Sequence, residues 1–277
     1  MNWSKVKSIM IVFLILVNLS FLTYIVYEEV RTSKRNDQMA ETVTNLLESR
    51  GISVDKKLVA KSARTENAQS LYADNFISDY DTFSKIVLGE TVTKVDTNNY
   101  KSELGTLQFK GDCFEIKASD KKNLYSSKIT KVTAQSVAKK YLTMLGINIK
   151  NATKELIEEN SLFKVKFNET INELPVFNSQ IEIIMNSTGI IYACGNWYNI
   201  NSQNSSISEL KNVSGILVDY MNSKKKSEIT NIELGYSIHD TNTYHESVFL
   251  TPVWKITDAS GVTYIDAREA NWYERWR

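Results

Sequence analysis

The sequence predicts an α+β protein: an N-terminal transmembrane helix followed by repeated units in which a helix lies on an antiparallel sheet. Three observations predict it. Residues 8–27 form an uncharged apolar run. Beyond it, three segments carry apolar residues at three- and four-residue spacing, the mark of a helix with one buried stripe. Between and after them, apolar residues alternate with polar ones, the mark of strands with one wet face.

The apolar run comes first. Twenty residues of helix rise about 30 Å, the thickness of a bilayer's hydrocarbon core. The run is longer than a signal-peptide core of about 7–15 residues, and no small-x-small cleavage site follows it. An uncleaved anchor is therefore expected. Trp3 on one side and Tyr24 and Tyr27 on the other suit the two interfaces. Lys5 and Lys7 precede the run and Arg31, Lys34 and Arg35 follow it, so basic residues alone do not orient it. The short head, residues 1–7, and the long tail suit a cytoplasmic N-terminus and an extracytoplasmic body. Asn18, Ser20 and Thr23 are the polar points inside the span, and a buried Asn can bond a neighbouring helix for about 1 kcal/mol. They are the candidate transmembrane partner contacts.

Residues 30–38 read as a juxtamembrane linker or as an extension of the membrane helix. A helix is expected over 36–50, with Met39, Val43, Leu46 and Leu47 on one face and Gly51 as its stop. Residues 53–128 are less regular. Short strands are expected at 92–95, 105–109 and 113–117, and 76–83 reads as loop or a turn of helix. The whole of 28–128 is taken as linker plus a first α+β region. A second unit, 129–203, opens with a helix over 133–145 bearing Val137, Ala138, Tyr141 and Leu142. Its strands carry Phe163, Val165 and Phe167, then Ile181, Ile183 and Met185, then Ile190, Tyr192 and Cys194 after the turn at Gly189. A third unit, 204–277, opens with a helix over 208–221, with Leu210, Val213, Leu217 and Met221 in phase. Ser206 and Glu209 fit a capping box at its start. Strands follow at 232–238, 250–256 and 262–266, with Gly261 in the last turn, as tight hairpins require.

Candidate chemistry is sparse. The 277 residues carry 33 basic and 32 acidic side chains, a net charge of +1. No basic stripe argues for nucleic acid. His239-Asp240 and His245-Glu246 read as a solvated loop before they read as ligands. Cys113 and Cys194, on separate expected strands, read as half-buried thiols, and an extracytoplasmic pairing stays open. No nucleophile elbow, metalloprotease helix, phosphate loop or dinucleotide fingerprint occurs. No catalytic residue, metal or cofactor is expected. Trp272, Tyr273 and Trp276 crowd the tail beside Arg268, Arg275 and Arg277. Aromatics with arginine are typical of interface hot spots. They are the candidate ectodomain contacts, with self-packing as the plainer alternative.

The opening Met1-Asn-Trp-Ser-Lys-Val-Lys7, running straight into the apolar span, resembles the start of the YycI family. So does the late segment Leu250-Thr-Pro-Val-Trp-Lys-Ile256, followed by Gly261-Val-Thr-Tyr-Ile-Asp-Ala267, resemble that family's C-terminal unit. These are membrane-anchored regulators of an essential cell-wall sensor histidine kinase in low-GC Gram-positive bacteria. The helix–strand units are also similar to YycH and YycI ectodomain repeats and to PepSY-type modules. The tail, Ala267 to Arg277, departs from the plain terminal strand that the resemblance implies. The resemblance implies no enzymatic activity, and as partners the kinase, a YycH-like protein and the cell membrane. The alternative it leaves open is a PepSY-like module that inhibits an extracellular peptidase.

Overall fold

The structure, a computed structural model, describes residues 3–63, 68–120, 122–150, 152–206, 210–223, 226–238 and 248–268. The elements in chain order begin with α1 (Trp3–Ser49), β1 (Ile52–Val54), α2 (Lys56–Ser62), β2 (Ser70–Asn75) and α3 (Tyr80–Leu88). Five short strands follow: β3 (Thr93–Lys94), β4 (Asn99–Lys101), β5 (Gly105–Lys110), β6 (Cys113–Ala118) and β7 (Tyr125–Ser126). Next come α4 (Ala134–Met144), β8 (Ala152–Glu159), β9 (Leu162–Ile171), β10 (Leu174–Asn186), β11 (Gly189–Gly195) and β12 (Tyr198–Ser206). The chain closes with α5 (Val213–Ser223), β13 (Ser227–Ile238), β14 (Val248–Asp258) and β15 (Gly261–Asp266).

Two compact units divide these elements. The first holds residues 1–66, 211–233 and 255–265, and the second holds 67–210, 234–254 and 266–277.

In the first unit, α1 is one unbroken helix of 47 residues. At about 1.5 Å per residue it is about 70 Å long. No Gly or Pro interrupts Trp3–Ser49, so nothing ends the helix between the apolar run and residue 36. Residues 30–38 are thus helical and continue the apolar stretch, and the helix expected over 36–50 is the final stretch of α1. Gly51, at φ +81°, ends it in a conformation that side chains other than glycine rarely adopt. From Ile9 to Val30 the large apolar side chains of α1 stay exposed, apart from the half-buried Val17. Burial begins at Asn36 and continues through Ala40, Val43, Thr44 and Leu47. Leu46, expected on that face, is 41% exposed. It stands about 100° around the helix from Leu47, at the flank of the stripe.

The stripe of α1 packs on α2, β1 and α5. Helix α5 begins at Val213, later than expected, and Asn212 supplies its cap: its Oδ1 accepts the N–H of Gly215 at 2.9 Å. Of the expected capping box, Ser206 pairs with Ser70 at the end of β12, and Glu209 lies outside the described residues. Leu210, expected on the helix stripe, instead forms an isolated bridge with Arg268. Beneath the helices, β1 pairs in parallel with β13, which neighbours β14, which pairs with β15. The parallel pair departs from the expected antiparallel sheet. The short helix α2 and a long stretch of chain separate β1 from β13, which removes the hairpin constraint that enforces opposite directions. Asp258, 6% exposed, accepts the hydroxyl of the buried Tyr220 and, at its other oxygen, the N–H and hydroxyl of Ser260. That ties α5 to the last turn.

The second unit is built on a meander of antiparallel strands in the order β8-β9-β10-β11-β6-β5-β4-β3, with β7 on β11. The strands expected at 163–167, 181–185 and 190–194 are all present, with Val165, Phe167, Ile181, Ile183, Met185 and Ile190 on the buried face. β8–β9 and β9–β10 turn on two residues each, Asn160-Ser161 and Asn172-Glu173, all four at positive φ. That is the mirror-image turn whose twist suits a hairpin. A further group of strands, β12-β2-β14-β13, reaches β10 through one parallel contact, Val176 to Tyr236.

Helix α4 lies on β8 and β9 with Ala134, Val137, Ala138, Tyr141 and Leu142 buried, the expected stripe. Its end is closed by the N–H of Ile147 on the carbonyl of Leu142 at 2.9 Å and by Gly146 at φ +81°. Segment 76–83, read as loop or one turn of helix, instead leads into α3, capped by Asp79. The cause is tertiary: Tyr80 stacks on Phe109 with ring centroids 3.8 Å apart, and Phe83 meets Phe76 and Phe114 edge-on.

Among the described residues six buried side-chain polar atoms lack a hydrogen-bond partner, and the Tyr141 hydroxyl is one of them. The Tyr141 hydroxyl is fully buried and has no hydrogen-bond partner. An unsatisfied buried hydroxyl costs about 1–3 kcal/mol. Tyr141→Phe is therefore expected to stabilise the full-length chain by about 1 kcal/mol. Urea unfolding in detergent micelles, followed by tryptophan fluorescence, reads the shift in midpoint.

Candidate functional site

The polar residues of the span do not share one face. Ser20 and Thr23 lie about 60° apart around the helix, whereas Asn18 stands about 140–160° from either. Each described bond they make is to their own helix. Asn18 Nδ2 donates to the carbonyl of Leu14 at 2.8 Å, and the Thr23 hydroxyl donates to the carbonyls of Leu19 and Ser20 at 3.0 and 2.9 Å. Such back-bonding satisfies the hydroxyl donor locally. The Asn18 amide oxygen and its second N–H stay available to a neighbour. The surrounding window of α1 has none of its residues buried within the chain, and α1 is the one described helix long and apolar enough to cross a membrane.

Trp272, Tyr273 and Trp276 lie outside the described residues, as do Arg275, Arg277 and the His239-Asp240 and His245-Glu246 pairs. Arg268 is described and is engaged at home. Its guanidinium forks onto Asp266, with Nη2 to Oδ2 at 2.6 Å, and lies 5.8 Å over the Phe249 ring. Trp197 and Trp254 are buried at 3% and 1% exposure, so these two aromatics serve the core.

Cys113 and Cys194 are both free thiols, one exposed and one partly buried. Cys194 stands opposite Glu115 on β6, which puts both cysteines on the same sheet face, one diagonal step apart. Burial pushes both thiols up, so neither is poised as a nucleophile. Among the described residues no group of three or more His, Cys, Asp or Glu could hold a metal ion.

The structure assembles a site that the sequence analysis passed over. Glu169 sits on the apolar side of β9, in the same row as Val165, Phe167 and Ile171, and is 3% exposed. Its Oε2 accepts the hydroxyl of Ser179, itself buried on β10, at 2.5 Å. The backbone N–H of Tyr198 also points to the carboxylate. Burial raises the Glu169 carboxyl to about 7, and these two hydrogen bonds pull it partly back.

A cavity of about 280 Å³ opens beside it, lined by Asn148, Lys150, Glu169, Thr170, Trp197, Tyr198 and Asn199. The wall is held by Asn196. Its Oδ1 accepts the N–H of Gln180 at 3.2 Å, and its Nδ2 donates to the carbonyl of Asn178 at 2.9 Å and to the Tyr198 hydroxyl at 3.4 Å. The Tyr198 hydroxyl in turn donates to Asp112 at 3.2 Å. Asn148 and Lys150 lie on the lining because burial alternates along 147–150, with Ile147 and Ile149 buried and the two polar side chains exposed, and the Asn148 Oδ1 accepts the N–H of Lys150 at 3.1 Å. The signal in the sequence was parity. Val165-x-Phe167-x-Glu169-x-Ile171 puts a carboxylate in an apolar row.

Fold and site together define a mixed α+β chain: a long apolar N-terminal helix joined to a sheet-rich body that carries a buried carboxylate at a small cavity. No family model matches the chain, and no curated protein matches it. Solved structures do align. An uncharacterized protein from Eubacterium rectale ATCC 33656 aligns at a TM-score of 0.44 and 12% identity, over 75% of this chain and 79% of that one. YycH from Bacillus subtilis aligns at 0.44 and 14%, over 72% of this chain and 53% of that one. The Bacillus megaterium YpeB C-terminal domain aligns at 0.30 and 10%, over 69% and 93%.

Proposed function

We propose that the chain is a membrane-anchored, extracytoplasmic regulatory protein that biases a sensor histidine kinase through transmembrane and ectodomain contacts, alongside a YycH-like protein. It makes and breaks no bond of its own. One observation carries the reading. Among the described residues one helix, α1, has an apolar part with none of its residues buried, and its far end is packed into the first unit through Ala40, Val43 and Leu47. Any tilt or rotation imposed on the span by a neighbour is therefore delivered to the folded body without an intervening hinge. The sequence resemblance to the YycI family supplies the kind of neighbour. A contact of this kind shifts the kinase only as far as it favours one of the kinase's states over another.

The test is photocrosslinking in native membranes, with the crosslinking residue placed in turn at Leu14, Asn18 and Leu22, which lie one turn apart on one face. A sensor histidine kinase is expected in the adduct. Replacing residues 8–27 by poly-Leu is expected to keep the protein in the membrane and to change kinase output. A peptidase in the adduct, with kinase output unchanged by the poly-Leu span, overturns the reading in favour of peptidase inhibition.

A further inference from the structure

The cavity in the second unit carries two opposite charges that do not meet. Glu169 is at its inner wall, almost wholly buried, and makes no ion pair with any described residue. Lys150 is exposed on the lining of the same cavity and likewise makes no described ion pair. A buried carboxylate without a cation is expensive, because two neutral donors offset only part of its lost hydration. The space beside Glu169 thus favours a positive group. A simple cation is disfavoured by the lysine that shares the lining, and a simple anion by the carboxylate. At about 280 Å³ the cavity falls just below the range of about 300–1,000 Å³ that holds drug-sized ligands. Asn148, Asn199 and Thr170 add uncharged polar groups to the lining, the Asn148 Oδ1 already accepting the N–H of Lys150 at 3.1 Å.

We propose that this cavity binds a small zwitterion, a free amino acid or a dipeptide, with its ammonium on Glu169 and its carboxylate on Lys150. The ammonium replaces the missing counter-charge in the wall. The carboxylate stays near solvent at the rim, where lysine acts as a flexible point charge. No covalent step is involved. The site does not depend on the kinase reading, since it is formed wholly within the second unit.

The test is titration calorimetry on the full-length chain in nanodiscs, with glycine, L-alanine, D-alanine and alanyl-alanine as probes. N-acetylalanine removes the ammonium and ethylamine removes the carboxylate. At least one zwitterion is expected to bind, and both truncated probes to bind at least about tenfold more weakly, a loss of about 1.4 kcal/mol. Glu169→Gln is expected to weaken the zwitterion by a similar factor. Lys150→Met, at an exposed position that folding does not need, is expected to weaken it while leaving ethylamine unchanged. Binding near neutral pH is also expected to release protons, read as an enthalpy that depends on the buffer. Absence of heat from every zwitterion up to about 10 mM, well above a Kd of about 1 mM or about −4 kcal/mol, overturns the proposal. So does N-acetylalanine binding as well as alanine, or unchanged affinity in both variants.

Discussion

Replacing Glu169 by glutamine is expected to stabilise the protein by about 3 kcal/mol at about pH 8 and to leave it nearly unchanged at about pH 4. The folded carboxyl is raised to about 7 from an ordinary value of 4.5, with burial as the main cause. Well below 4.5 the group is protonated in both the folded and the unfolded chain and contributes no pH dependence. As pH rises past 4.5 the unfolded chain loses its proton first and the folded chain keeps it. The unfolded state then binds fewer protons, so stability falls with pH until the folded group ionises near 7, and is flat above. Each unit of pKa is about 1.4 kcal/mol, which sets the size of the drop. Glutamine keeps an acceptor for the Ser179 hydroxyl and the Tyr198 N–H and carries no charge to desolvate. Urea unfolding of the full-length protein at several pH values measures this. The variant is expected to lack the falling limb between about pH 4.5 and 7, and an identical pH profile in both proteins would show that Glu169 is well solvated. The same experiment in saturating zwitterion adds the ligand's linkage, since a bound ammonium favours the ionised carboxylate.

Gly195→Ala is expected to destabilise by about 3 kcal/mol or more, the range of a strained backbone combined with a clash. Gly195 ends β11 at φ +144°. A Cβ there would lie 2.0 Å from the carbonyl oxygen of Gln180 and 2.7 Å from the Ile181 Cα, both backbone atoms of β10. Backbone of a central strand cannot give way as a side-chain tip does. The displaced segment would carry Asn196 with it, and with Asn196 the bridge to Gln180, Asn178 and Tyr198 that walls the cavity. Gly146→Ala is the control. Gly146 also has a positive φ, +81°, but a Cβ there meets nothing within 4 Å. It is expected to cost only the left-handed strain, about 1–2 kcal/mol. Thermal and urea unfolding of the two variants side by side separates clash from strain. Equal losses would mean that β11 shifts freely.

How far the sequence was legible depends on the range over which each feature is decided. The stripe of α4 and the alternation of β9, β10 and β11 were readable because period and parity are local. The turn at Asn186–Gly189 was readable for the same reason, and the Asn186 carboxamide oxygen does accept the N–H of Thr188 and of Gly189, at 2.9 Å each. Helix α3 was read only as loop or a turn, although its Asp79 cap and the Phe83, Val87 and Leu88 stripe are local; the rings that hold it, on β5 and β6, are not. The start of α5 was misplaced because Ser206 satisfied its own backbone in β12, and a capping box competes with strand pairing for the same groups. Edge strand β8 was missed because most of its residues are exposed or half-buried, so no apolar alternation marks it.

By itself the sequence determined that the chain has one long apolar helix and an α+β body, because hydrophobic length and periodicity depend only on neighbours in the chain. Whether residues 30–38 are linker or helix it left open, and the structure shows α1 unbroken across them. Only the tertiary structure decided that β1 and β13 run parallel, and which segments of chain share each compact unit. It alone brought Glu169, Lys150 and Tyr198 to one cavity. These outcomes turn on pairings between residues tens or hundreds of positions apart, whose closure entropy and packing no local window of sequence contains.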